Sequence, residues 1–138
     1  MSTPAPPVPG PLFRATRTLS QADFDRFAAV SGDDNPIHVD AGFSARTRFG
    51  RTVSHGMLLY SVLWGLIQRH LPGFRQQGQA LVFPAPAYAG EPLVFSGTVE
   101  AVEGPRVRLS MLITRAGDGE TVCEAAADLL PGGADGRS

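Results

Sequence analysis

The sequence predicts an α+β domain in which an antiparallel sheet surrounds one long, buried helix. Three observations carry that prediction. Residues 57–67 form an apolar run with no charge until Arg69. Alternating strand-like runs, separated by turn signals, fill the segment that follows it. The length of 138 residues is enough for one domain and too little for two.

The chain opens on a proline-rich stretch, residues 1–11, expected to be a disordered or polyproline-like tail. A single domain is expected over residues 12–130, and a flexible Gly-rich tail over 131–138. Residues 12–19 read as a strand leading into a helix. Ser20 with Asp23 resembles a capping box, with aspartate in place of glutamate, and Phe24, Phe27 and Ala28 follow at helical spacing. Gly32 is a natural stop. Residues 33–40 are polar and carry Pro36, which predicts a loop, and residues 41–46 suit a short helix. Ser54 is the expected cap of a helix over residues 55–71, ended by Pro72 and Gly73. A helix apolar on all sides must be enclosed by protein.

Strands are expected at residues 81–86, 93–101, 107–114 and 121–130. Leu93, Phe95, Gly97, Val99 and Ala101 alternate with Val94, Ser96, Thr98 and Glu100, and Val107, Leu109, Met111 and Ile113 with Arg108, Ser110, Leu112 and Thr114. Glu103-Gly104 and Gly117-Asp118-Gly119 are turn signals, and connections this short imply antiparallel pairing.

Composition excludes several functions. With 43% hydrophobic and 18% charged residues the chain can bury a core, and a net charge of −1 draws it to neither nucleic acid nor a membrane surface. All 12 cationic residues other than histidine are arginines, so a Schiff-base lysine and a lysine-bearing phosphate loop are both ruled out. Cys123 is the only cysteine, which excludes an intramolecular disulfide and a thiolate metal cluster. The apolar run is too short to span a bilayer and the N-terminus has no signal-like stretch, so a cytoplasmic protein is expected.

Two clusters bear on chemistry. In the polar loop, Asp33 precedes His38 by five residues, with Asn35 and Pro36 stiffening the turn between them. A carboxylate and an imidazole so placed could hold a water between two bases, and imidazole is the side chain whose ordinary pKa suits proton transfer near neutrality. Spacing alone does not separate this from Asx-turn and capping residues on a solvated loop. Asp33, Asp34, His38, Asp40 and His55 are also possible metal donors, but H-x-x-x-H and H-E-x-x-H spacings are lacking, and no metal is expected. The second cluster is Ser54-His55-Gly56, where a helix N-terminus offers unpaired N–H groups and glycine admits a carbonyl oxygen. Cys123 and Ser61 lack the partners of a nucleophile, and His70 fits a helix C-terminus.

Together these segments resemble the MaoC-like family of (R)-specific enoyl-CoA hydratases. The resemblance runs over roughly residues 13–130. Its D-x-N-P-x-H loop is met as Asp33-Asp34-Asn35-Pro36-Ile37-His38, followed by Asp40, and its H-G-M-L as His55-Gly56-Met57-Leu58. Leu71-Pro72-Gly73, Phe83 and Ala89-Gly90-Glu91 keep the family's order. The resemblance implies a hot-dog fold, a sheet wrapped around a long central helix, and a homodimer with one continuous sheet, or else a heterodimer with another hot-dog chain. It implies reversible hydration of trans-2-enoyl thioesters to (R)-3-hydroxyacyl thioesters, within fatty acid metabolism, on coenzyme A or an acyl carrier protein and without a metal or redox cofactor.

By motif position Asp33 is the catalytic aspartate, rather than Asp34, and His38 is its partner. Asn35 positions the loop, and the Gly56 N–H binds the thioester carbonyl. His55, Tyr60 and Trp64 complete the expected substrate-binding set. Trp64 stands where the best-known hydratases of the family carry a small hydroxyl residue. Gly56, Tyr60 and Trp64 share a face at i, i+4, i+8, so Trp64 either narrows the acyl pocket or packs in the core. Arg46, Arg48 and Arg51 either meet the phosphates of coenzyme A or are merely solvated. A hot-dog thioesterase and a non-catalytic acyl-binding subunit are the alternatives to a hydratase.

Overall fold

A computed structural model describes residues 6–132. Its elements are β1 (Gly10–Thr18), α1 (Gln21–Ser31), α2 (Pro36–Val39), α3 (Ala41–Ala45), α4 (Gly56–His70), β2 (Phe74–Val82), β3 (Pro92–Glu103), β4 (Arg106–Arg115) and β5 (Thr121–Pro131). The five strands form one antiparallel sheet in the order β1-β3-β4-β5-β2, with β1 and β2 as its edges. Helix α4 packs on this sheet, which is the hot-dog arrangement.

Period-two alternation decides which face of the sheet is buried. Leu93, Phe95 and Val99 of β3, and Val107, Leu109, Met111 and Ile113 of β4, all point into the core. From α4, Leu59, Leu63, Leu66 and Ile67 meet them there, with Phe24 of α1 and Leu129 of β5. Burying each of the large side chains stabilises the domain by about 1.5–3 kcal/mol. The tight connection at Glu103-Gly104 joins β3 and β4 as expected, with Gly104 at φ 61°. The capping box at Ser20 also forms. Ser20 Oγ accepts from the Asp23 N–H at 3.2 Å, and Asp23 Oδ2 accepts from the Ser20 N–H at 2.8 Å.

Phe13 pairs with Gly97 across β1 and β3, and its ring occupies the space a side chain at residue 97 would need. A Cβ there would lie 2.5 Å from the Phe13 Cε2 and Cζ. Gly97→Ala is therefore expected to destabilise the fold by about 1–3 kcal/mol, read as a lower denaturant midpoint with an unchanged slope.

Several local expectations need correction. Residues 33–40 are not all loop, because Pro36 begins α2 instead of breaking a helix: proline fits the first helical position, where its missing N–H is not needed. Ser54 does not cap α4. His55 occupies that position without a side-chain cap, and Ser54 Oγ donates to the His55 carbonyl at 2.9 Å. The strand expected at 81–86 runs instead over Phe74–Val82, where Arg75, Gln76 and Gln79 lie on an exposed edge that needs no apolar alternation. Ala101 is only half-buried, since a register shift between Val99 and Ala101 turns the end of β3.

Helix α4 is not enclosed on every side in the single chain. Met57 (49% exposed), Ser61 and Gly65 form an open stripe along it. Of the expected tails, residues 1–5 and 133–138 lie outside the described residues. Gly10 and Pro11 already pair with Val99 and Thr98, and Pro131 still pairs with Phe74, so the sheet extends beyond 12–130 at both ends.

Candidate active site

The loop after α1 is built by short-range hydrogen bonds. Gly32 turns the chain at φ 81° and donates its N–H to the Ala28 carbonyl at 2.9 Å, and the Asp33 N–H donates to Ser31 Oγ at 3.1 Å. Asn35 Oδ1 accepts from the Ile37 N–H at 3.1 Å and so caps α2, and Asp40 Oδ1 accepts from the Phe43 N–H at 2.9 Å and caps α3. The capping reading thus holds for Asn35 and Asp40. It does not account for Asp33, whose side chain is 56% exposed and points its Oδ2 toward His38 Nε2, 3.8 Å away.

His38 is buried on α2, and its Nδ1 lies 2.8 Å from the Val53 carbonyl. A carbonyl only accepts, so Nδ1 carries the proton, and in the neutral ring Nε2 is left as a bare acceptor facing the Asp33 carboxylate. Gln21 braces this arrangement. Its Nε2 donates to the His38 carbonyl at 2.8 Å, while its Oε1 accepts from Thr52 Oγ1 at 2.6 Å. Neither Gln21 nor Thr52 was legible in the sequence, because the bond between them spans 31 residues and neither belongs to a motif.

His55 does not present its side chain to a substrate pocket. It is 2% exposed, and its Nε2 donates to the Asp33 carbonyl at 2.8 Å. Its ring stacks on His38 with centroids 3.8 Å apart and planes inclined by 24°, and it lies against Phe27 at 4.8 Å. His55 Nδ1 is buried and has no hydrogen-bond partner among the described residues. Burial chiefly lowers the pKa of this imidazole below its ordinary value, and the neighbouring His38 adds to the lowering. The hydrogen bond to the Asp33 carbonyl and the Asp33 charge oppose the shift.

The unfolded chain therefore binds this proton more readily, and the stability His55 contributes is full above about pH 6.5. It is lost as pH falls from there through the lowered folded-state value. The melting temperature is expected to drop between pH 7 and pH 5, and to drop less in His55→Gln, which has nothing to titrate.

Donor atoms of Asp33, His38 and His55 lie within 4.8 Å of one another. The two imidazoles are nearly parallel, however, so their in-plane lone pairs run side by side and do not converge on one ion.

Helix α4 begins next to this pair. Its first N–H groups, from Gly56 on, have no intrahelical acceptor and form the positive end of its dipole. Beside Gly56 lies a cavity of about 260 Å³, walled by Ser54, Leu59, Phe83 and Val122, with Arg48 at its edge. The Phe83 ring lies directly against Gly56, where a Cβ would come within 2.8 Å of it. Tyr60 and Trp64 do not line this cavity. Tyr60 is buried and donates its hydroxyl to Gln76 Oε1, and burial pushes its pKa up to about 12. Trp64 packs half-buried against the core. Leu59 is the next residue of α4 after Gly56 to line the cavity.

Arg51 pairs with Glu91 at 3.3 Å and lies over the Tyr88 ring at 3.9 Å. Cys123 is fully buried in β5, with its thiol pushed up to about 11 by burial, which leaves it inert as a nucleophile. His70 donates from Nδ1 to the Leu66 carbonyl at 2.9 Å at the end of α4, as expected.

Comparison with known proteins agrees with this geometry. Residues 3–117 match the MaoC like domain family. The chain is 35% identical to an (R)-specific enoyl-CoA hydratase of Aeromonas caviae over 122 residues, 86% of this chain and 91% of that one. It is 36% identical to a mitochondrial 3-hydroxyacyl-[acyl-carrier-protein] dehydratase of Arabidopsis thaliana over 93 residues, 67% of this chain and 55% of that one. Among solved structures, the (R)-hydratase of A. caviae involved in PHA biosynthesis superposes with a TM-score of 0.85 at 33% identity, covering 90% of this chain and 96% of that one.

Proposed function

The chain belongs to the MaoC-like domain family, and from this we propose that it is a hydro-lyase that reversibly adds water to trans-2-enoyl thioesters, giving (R)-3-hydroxyacyl thioesters. The observation that carries this reading is the bare Nε2 of His38 held 3.8 Å from the Asp33 carboxylate, beside the N-terminus of α4.

Asp33 and His38 share the attacking water. The water oxygen bonds to C3 of the enoyl group while one of its protons passes to the pair. The C2=C3 π electrons move toward the thioester carbonyl, and the Gly56 N–H stabilises the negative charge gathering on that oxygen. The pair then delivers a proton to C2, on the face the water attacked. Hydroxyl on C3 and hydrogen on C2 together account for one water. Substrate and product sit at the same overall oxidation level, so the step needs no redox cofactor, and the polarised thioester supplies the acidity at C2. The acyl group is carried on coenzyme A or an acyl carrier protein.

A second copy of the chain, or another hot-dog chain, is the expected partner. Edge strand β2 offers unpaired backbone groups, and the open stripe of α4 offers surface to cover. Among the described residues no helix is long and apolar enough to cross a membrane. A lone buried thiol suits the reducing cytoplasm, where we place the enzyme. Chiral chromatography of the hydrated product tests the stereochemistry. The (R) enantiomer alone is expected, and an (S) or racemic product contradicts the reading. Light scattering should give twice the mass of one chain.

A further inference from the structure

We propose that His55 is the positioning residue of this site: a buried neutral imidazole, protonated on Nε2, that anchors the Asp33 main chain and backs the ring of His38. The inference rests on the hydratase reading only where turnover is the readout.

Three independent features of the ring point the same way. Its Nε2 lies 2.8 Å from the Asp33 carbonyl, and because a carbonyl cannot donate, Nε2 holds the proton. Its Nδ1 is buried without a partner among the described residues, which a bare nitrogen tolerates far better than an N–H would. Its face lies 3.8 Å from His38, so a charge on His55 would oppose a charge on the catalytic ring. The surroundings are divided but favour the neutral ring on balance. Helix α1 brings the apolar rings of Phe24 and Phe27 and α2 brings His38, all of which disfavour a charge, whereas Asp33 favours one and is outweighed by burial.

Three consequences follow for the chemistry. Among the described residues the other hydrogen bonds of Gly32 and Asp33 are local, so the bond to His55 ties the Asp33 main chain directly to the start of α4. The stacked ring limits rotation of His38, whose Nδ1 is already held by Val53. His55 is also the N-cap of α4 and adjoins Gly56. One side chain therefore fixes the distance from the acid–base pair to the helix N-terminus that receives the substrate carbonyl. A neutral ring does so without adding a positive charge to the site.

The test has two parts. The chain contains three histidines, so ¹⁵N-histidine labelling of the wild-type protein resolves His38, His55 and His70 by NMR. His55 is expected as the neutral Nε2–H tautomer, and it should remain neutral to lower pH than an ordinary imidazole. An Nδ1–H tautomer, or protonation at or above the pH of an ordinary imidazole, overturns the proposal. This part requires no turnover, so it stands even if hydratase activity is absent.

The second part compares His55→Gln, whose amide N–H can reach for the Asp33 carbonyl, with His55→Leu, which has no donor. In His55→Leu, kcat is expected to fall by about tenfold or more with KM changed by less than about threefold, and His55→Gln should recover a large part of it. Equal loss in two folded variants, or a loss confined to KM, overturns the proposal. Should His55→Leu fail to fold, an NMR tautomer as expected together with near-wild-type KM and reduced kcat in His55→Gln supports it. Wild-type kcat in His55→Gln combined with the wrong tautomer overturns it.

Discussion

Asp33→Asn and His38→Ala should each lower kcat for enoyl-thioester hydration by about 10²–10⁴-fold, the range of a positioned acid–base group. In Asp33→Asn an acceptor oxygen becomes an NH₂ group, which donates where the water must donate and cannot take up its proton. The Asp33 side chain is largely exposed and caps nothing, so the loss should come with little change in stability. His38→Ala is less clean. It removes a buried ring and leaves the Val53 carbonyl without its donor, which should cost about 1–3 kcal/mol of stability besides activity.

Asp34→Asn supplies the control within the loop. Asp34 is exposed, and its N–H donates to the Gly32 carbonyl at 3.2 Å, a bond that asparagine keeps. Its kcat should stay within a fewfold of wild type. Stopped assays on each variant, with circular dichroism to confirm the fold, check all three. Equal damage at Asp33 and Asp34 would mean that the wrong aspartate has been placed beside His38.

Gly56→Ala is expected to have the next largest effect, for two separable reasons. The new methyl would lie 2.8 Å from the Phe83 ring, which must move aside. Phe83 is 42% exposed just beyond the end of β2 and can give way, so the stability cost should be about 1–2 kcal/mol. The same methyl would also crowd the cavity lining beside the first N–H of α4. Obstructing an oxyanion donor costs about 10²–10³ in kcat. The double variant Gly56→Ala/Phe83→Ala separates the two effects. Its melting temperature should recover, since the clash is gone, while its kcat stays low. Recovery of kcat in the double variant would show that the glycine serves packing alone.

The parts of the fold read well from sequence were those governed by local physics. Strands β3 and β4 announce themselves because every second residue must enter the core, and Ser20, Asp23 and Gly32 mark the ends of α1 by their own hydrogen bonds and backbone angle. Edge strand β2 was misplaced because Arg75, Gln77 and Gln79 are exposed and the strand owes its extended form to pairing with β5, more than 40 residues away. The short helix α2 was missed because four residues have no helical periodicity, and its only sign was Asn35 followed by Pro36, which also fits a turn.

The site divides in the same way. The family resemblance, not spacing alone, singled out Asp33 and His38, and the structure brings their side chains to 3.8 Å. Which way a side chain turns is a tertiary matter. Sequence spacing put Gly56, Tyr60 and Trp64 on one face of α4, yet the cavity opens between Gly56 and Leu59, because β5 and the segment after β2 meet the helix there. The inward turn of His55 depends on the pocket formed by Phe24 and Phe27 of α1, which no motif around residue 55 reveals.

Hydration is tested most directly by the ultraviolet absorbance of the conjugated thioester, followed with purified wild-type protein over a series of trans-2-enoyl-CoA chain lengths, alongside a thiol assay. Loss of the conjugated band without release of thiol, abolished in Asp33→Asn, is the predicted result. Release of free thiol would make the protein a thioesterase, and binding of the substrates with no change in the band at any chain length would contradict catalysis by Asp33 and His38.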